Sequence, residues 1–132
     1  MIVLAVVAVL ASIALPSYAF YVARQRVSVG QSDLVSLAMN METHLQNNTS
    51  YPVVTTTTAI TQTALTGSGW APVASSHFTY RISAVSQPGT TFSGSYTLTA
   101  VGSAAPVSGC TMTLTSANVR TLSGCPGGSI SW

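Results

Sequence analysis

From Met1 to Leu15 the chain reads MIVLAVVAVLASIAL, with Ser12 its most polar residue. Wound as a helix, this run is apolar on every side and has no face suited to water. Its Ala and Leu favour the helix, and an apolar surrounding tolerates Val and Ile within it. Met1 to Leu15 spans ~22 Å as helix, short of the ~30 Å hydrocarbon core of a bilayer. Extension through Ala23 gives ~34 Å, with Pro16 and Ser17 inside, Tyr18 and Tyr21 at the level of an interface, and Arg24 and Arg26 beyond it.

Past the arginines the pattern becomes one-sided. Val27, Leu34, Leu37, Ala38, Met41 and Leu45 fall near helical spacing, with Gln31, Ser32, Ser36, Asn40 and Thr43 largely between them. One helix is predicted to about Gln46. Its first part, residues 1–26, seeks lipid or other helices, while its second, residues 27–47, can pack on a domain of its own. Pro16 lacks a backbone donor and Gly30 costs ~1 kcal/mol relative to alanine, so kinking or melting is expected there. Asn47, Asn48, Ser50, Tyr51 and Pro52 stop the helix.

A threonine-rich, uncharged stretch follows and predicts a surface loop over residues 48–76, with a short turn of helix near Ala59 to Leu65. Thr55, Thr56, Thr57 and Thr58 are candidate acceptors of an O-linked glycan. The Asn47-Asn48-Thr49 and Asn48-Thr49-Ser50 sequons are weaker signals, lying at a helix end.

Period-two alternation then marks strands at His77 to Val85, Gly94 to Val101 and Cys110 to Thr115, with a short fourth at Asn118 to Leu122. Ser86 to Ser93 and Gly102 to Gly109 form the hairpin loops. Consecutive strands without intervening helices imply an antiparallel sheet over residues 77–123, followed by a tail at 124–132. Thr111, Thr113 and Thr115 share one face of the third strand and Met112 and Leu114 the other. The apolar face needs a cover, and the second part of the helix is the available one. The fold class is α+β: a helical stalk at residues 1–26 and a head at residues 27–132.

Charge is scarce at 5% of 132 residues, where ordinary domains carry roughly 25%. There is no lysine, and the net charge of +2 is small and scattered over Arg24, Arg26, Arg81 and Arg120, which argues against nucleic acid as a partner. An enzyme needs converging acid, base or nucleophile groups. The two acids, Asp33 and Glu42, both fall on the helix, and His44 and His77 have no partners at metal-ligand spacing, so no catalysis, metal or cofactor is expected.

Cys110 and Cys125 are the only cysteines, a local pair that suggests a disulfide and an oxidising compartment, with two buried thiols as the alternative. Closing a loop of about 15 residues would contribute ~3 kcal/mol. Two arginines just after the apolar run would hold the head in the cytoplasm by the positive-inside rule, where a disulfide does not persist. A basic leader preceding Met1 removes the conflict. Cleavage of a secretory signal near Ala19 is the rival reading, and no basic region supports it.

The run MIVLAVVAVLASIALPSYAFYVARQRV resembles the N-terminal helix of type IV pilins, and among them the PilE-type, with Pro16 at the family's helix-melting proline and Tyr18 and Tyr21 in matching aromatic positions. NNTSYP at Asn47 to Pro52 is similar to the turn where pilin helices end, and CTMTLTSANVRTLSGC with terminal Trp132 is similar to the family's Cys-strand-Cys-Trp ending. The resemblance implies that about six residues precede Met1, among them an N-methylated phenylalanine and a glutamate. It implies a structural subunit assembling with itself into a helical polymer, for motility, adhesion or DNA uptake. Ile2, Leu4, Val7, Leu10, Ile13, Pro16, Tyr18 and Tyr21 would line the filament core, with Ala5, Ala8, Ala11, Ala14 and Gly30 allowing close packing. The implied location is an extracellular pilus, with the inner membrane and the pilus assembly machinery as earlier partners. A minor pilin or a secretion pseudopilin is the alternative, and a membrane-anchored β-rich adhesin or binding module the second.

Overall fold

The computed structural model describes residues 2–48, 51, 69–85, 95–127 and 132. One helix, α1 (Ile2–Asn48), takes up the first third of the chain without interruption, running through both Pro16 and Gly30 and ending two residues beyond the predicted Gln46. Four strands follow: β1 (Phe78–Val85), β2 (Ser95–Gly102), β3 (Thr111–Thr115) and β4 (Arg120–Ser123). They form one antiparallel sheet in sequence order, with registers that include Arg81 opposite Thr99, Thr99 opposite Thr113 and Thr113 opposite Thr121. The fourth strand starts later than expected because Asn118 turns the chain at φ 59°, with its amide donating to Thr115 O at 2.9 Å. Asparagine tolerates that left-handed conformation better than most residues. The expected turn of helix at 59–65 and the hairpin loop at 86–93 lie outside the described residues.

The alternation read along the strands sets the two faces of the sheet. Tyr96, Leu98, Ala100, Met112 and Leu114 point inward and are buried, while Thr97, Thr99, Thr111, Thr113 and Thr115 are half-exposed on the other face. The helix supplies the cover. Its buried stripe is Ala23, Val27, Gly30, Leu34, Leu37 and Met41, at three- and four-residue spacing. These meet Phe78, Tyr80, Ile82, Leu98 and Met112 in one core, closed at one end by Trp70 and Ala74.

Gly30 has a different use from the one its sequence suggests. A Cβ there would stand 2.7 Å from Met112 Cε and 3.0 Å from the Phe78 ring, so glycine lets the helix backbone lie directly on the sheet. It is buried inside its own head and offers no surface for packing between subunits, which corrects that expectation. Gly102 is a second close approach: an added Cβ would lie 1.8 Å from the carbonyl oxygen of Val107.

The cysteines are joined as expected. The Cys110–Cys125 disulfide closes a separation of 15 residues and ties the tail after β4 to the segment before β3. Restricting a loop of that size in the unfolded chain contributes ~3 kcal/mol. The same segment is pinned to β2, where the Gly102 amide donates to Cys110 O at 2.7 Å.

From Ile2 to Ile13 and from Ser17 to Tyr21 the helix is exposed throughout. Ile2, Leu4, Val7, Leu10 and Ile13 are 57–81% exposed, and Tyr18, Phe20 and Tyr21 are more than half exposed.

Candidate functional site

The two acidic side chains of the chain, Asp33 and Glu42, both lie on α1, and each accepts hydrogen bonds from the head. Asp33 lies on the buried stripe, only 5% exposed. Its Oδ1 accepts the Val73 amide at 3.1 Å, and its Oδ2 accepts the Ala74 amide at 2.8 Å and the Tyr80 hydroxyl at 2.7 Å. The carboxylate thus holds the turn before β1 and β1 itself onto the helix. About two and a half turns further along α1, Glu42 Oε1 accepts the hydroxyls of Tyr51 at 3.0 Å and Tyr96 at 2.9 Å, whose rings meet edge to face at 5.0 Å. Nothing in the spacing of Asp33 and Glu42 announces these roles, because the partners lie up to 54 residues away.

Burial, and then hydrogen bonding to the neighbouring carboxylate, push the Tyr80 and Tyr96 phenols well above their ordinary value of 10. A tyrosine whose pKa is raised by folding contributes its stability fully below about pH 10, the unfolded value, and loses it as pH rises towards the folded one. Thermal melts are therefore expected to hold level to about pH 9 and to fall progressively above about pH 10. An unchanged melting temperature at about pH 11 would contradict this linkage.

The histidines do not converge. His77 Nδ1 is hydrogen-bonded to Ser76 Oγ at 2.7 Å at the start of β1, whereas His44 sits near the end of α1. Among the described residues no group of three or more His, Cys, Asp or Glu side chains is placed to hold a metal ion.

With Asp33 buried and Glu42 half-buried, the fully exposed charge is arginine. Arg24, Arg26, Arg81 and Arg120 are all exposed. Arg81 stands in the outer row of the sheet beside Thr99, Thr113 and Thr121, whose facing hydroxyls at Thr113 and Thr121 are 2.6 Å apart. Arg120 is held in place on the edge strand: its Nε donates to Asn118 Oδ1 at 3.0 Å, and its guanidinium lies 5.2 Å from the Trp132 ring centroid. Trp132 in turn donates its indole N–H to Thr121 O at 3.3 Å. Beside Arg120 a cleft of about 500 Å³ opens between α1 and the β3–β4 turn, with Met39 and Leu114 as its apolar part and Glu42, Gln46 and Asn118 as its polar part. Sequence reading took the four cations as scattered. It missed that Asp33 is buried and Glu42 half-buried.

The other residues singled out in the sequence fall as follows. Ile2, Leu4, Val7, Leu10, Ile13, Tyr18 and Tyr21 lie exposed along the bare part of α1, and Pro16 lies within that helix. Thr55, Thr56, Thr57 and Thr58 lie outside the described residues.

A family model described as type IV minor pilin ComP, DNA uptake sequence receptor, matches residues 16–115. Those residues run from Pro16 through the head-packed part of α1 and across β1, β2 and β3. Comparison with curated proteins and with solved structures gives no match. The family is that of a structural protein, a pilin, and its description supports the minor subunit over the major one. It also names a DNA uptake sequence receptor, which stands partly against the expectation that nucleic acid is an unlikely partner. From its helix, its sheet and this match over most of its length, the chain belongs to the family of the type IV minor pilin ComP, DNA uptake sequence receptor.

Proposed function

We propose that the chain is a minor subunit of a type IV filament that holds DNA at the filament surface during uptake. Pilins of this family are extracellular on the pilus and are anchored in a membrane by the apolar helix before assembly. The observation that carries the DNA reading is the sorting of charge: four arginines face solvent, while Asp33 is buried and Glu42 is half-buried beneath two tyrosine hydroxyls. DNA is a dense line of phosphates, and Lys or Arg contacts to it release counterions and steer association. Arg81 among threonine hydroxyls and Arg120 fixed on Trp132 suit phosphate contact, because hydroxyls as well as guanidinium groups donate to phosphate oxygens. The helix residues Ile2, Leu4, Val7, Leu10, Ile13, Pro16, Tyr18 and Tyr21 fill the remaining role, contact with neighbouring subunits in the filament core.

The full chain in detergent is expected to bind a fluorescent DNA duplex with an affinity that falls steeply as salt rises. Arg81→Gln and Arg120→Gln should each weaken binding and flatten the salt dependence by about one phosphate contact. Anisotropy titrations at several salt concentrations measure both. Absence of binding at low salt, or arginine variants that bind as the parent does, would remove the DNA reading and leave the pilin one.

A further inference from the structure

We infer that the cleft beside Arg120 takes one nucleotide whose base carries an exocyclic amine, cytosine or adenine, with the amine on Glu42 and the phosphate on Arg120. This inference rests on the DNA reading proposed above and adds a base preference to it.

Contacts to phosphate place a protein on DNA but carry no sequence information, which is read from the edges of the bases. The family's description is of a receptor for a DNA uptake sequence, whereas Arg81 and Arg120 account for affinity alone. The cleft of about 500 Å³ adjoins Arg120 and lies within the ~300–1,000 Å³ range of small-ligand sites. Its two charged groups stand on opposite walls. Glu42, half-buried, is on the α1 side, and Arg120, exposed, is on the β3–β4 side.

The charges sort base from phosphate. Tyr51 and Tyr96 both donate to Glu42 Oε1, and among the described residues no hydrogen bond reaches Oε2. A carboxylate oxygen so placed accepts from the N4 amine of cytosine or the N6 amine of adenine and repels a phosphate. α1 ends at Asn48 with no basic residue in its last turn, so the partial negative charge of the helix end acts in the same direction. The phosphate is left to Arg120. Asn118 engages its Nε and Trp132 holds the guanidinium, which leaves the terminal nitrogens to donate. Met39 and Leu114 supply the apolar contact that a base ring needs.

Both walls are braced. The β3–β4 turn is closed by the Asn118 amide on Thr115 O at 2.9 Å and by the Val119 amide on Thr115 Oγ1 at 3.1 Å. The Ser116 amide donates to Tyr96 O at 3.0 Å, and the Tyr96 hydroxyl reaches across to Glu42, so one residue joins the turn to the helix. Groups held on strands and helices in this way discriminate ligands better than groups on free loops.

The test is fluorescence anisotropy of labelled oligodeoxycytidine and oligodeoxyuridine, of equal length and charge, with the full chain in detergent at low salt, beside the duplex used above. The bases of the two strands differ in bearing a 4-amine or a 4-carbonyl. The parent is expected to bind oligodeoxycytidine about tenfold more tightly, the discrimination of about one base-edge contact. Glu42→Gln keeps an oxygen for the tyrosine hydroxyls, and Met39→Trp fills the cleft from a position that is 68% exposed. Each is expected to bring the two affinities within about twofold of one another, and either decides the matter if the other fails to fold. Equal affinities in the parent, binding of the duplex alone, or a cytosine preference that survives in a folded variant would overturn the base site and leave the DNA reading intact. Failure of the parent to bind either strand or the duplex would overturn both.

Discussion

A chain lacking residues 1–22 is expected to remain a soluble monomer and to enter no filament. The cut is placed by the structure, since Ala23 is the first side chain that the head buries. Much of what is removed is surface that the isolated subunit leaves bare: Ile2, Val3, Leu4, Val6, Val7, Val9, Leu10 and Ile13 are all more than half exposed. Full burial of one such side chain from water is worth about 1.5–3 kcal/mol, so together they supply more than ~10 kcal/mol per subunit relative to water. Transfer from lipid yields less, because acyl chains already surround these groups, and packing then decides the balance. Sedimentation of the truncated chain beside the full one, with negative-stain microscopy of the pellets, reads the effect. Filaments formed by the truncated chain at the full chain's level would end the assembly role of the helix.

Asp33→Ala is expected to cost about 3–5 kcal/mol, a large share of the 5–15 kcal/mol that holds a typical domain together. The change deletes the single acceptor shared by the Val73 amide, the Ala74 amide and the Tyr80 hydroxyl. The Ala74 amide and the Tyr80 hydroxyl, left buried without a partner, cost ~1–3 kcal/mol each, whereas the exposed Val73 amide can turn to water. Alanine's better helix propensity offsets only a few tenths of this. Asp33→Asn keeps one carbonyl oxygen and should lose about half as much, and Tyr80→Phe, which removes one donor, about 1 kcal/mol. Trp70 is a built-in reporter, being 3% exposed with its ring edge to face on Tyr80 at 5.1 Å. Urea unfolding followed by its fluorescence ranks the three variants. A midpoint for Asp33→Ala equal to that of the parent would show that the carboxylate is not what fastens the helix to the turn before β1.

Much of the fold could be read from local pattern. The continuous apolarity before Arg24, the one-sided stripe after it and the alternation of Thr111 to Thr115 each reflect a periodicity that a short window captures. The disulfide could be read because its cysteines are only 15 apart. What escaped depends on residues distant in sequence. Asp33 and Glu42 looked like incidental helix charges, since a buried carboxylate and a solvated one are the same letter. Gly30 looked like a weak point in a helix, because its cost is local while its benefit, room for Phe78 and Met112, comes from strands that follow much later. The DNA partner proposed above was not legible for the same reason. A net charge of +2 sums over six charged residues, whereas a phosphate meets only those that face it.

The way α1 joins stalk to head also bears on how the subunit carries a load. The stalk does not end at the head; the same helix continues beneath the sheet from Ala23 to Met41, a contact ~27 Å long. Tension applied along the bare part is therefore delivered parallel to the helix–sheet interface. Val27, Gly30, Leu34 and Leu37 must slide past Phe78, Leu98 and Met112 together, with Asp33 gripping the turn before β1 midway and Arg24 tethered to the disulfide-bound tail at the point of entry. An interface strained in this shearing direction shares force across many contacts at once, where peeling would break them singly. A head so joined to its stalk meets an axial pull as one unit.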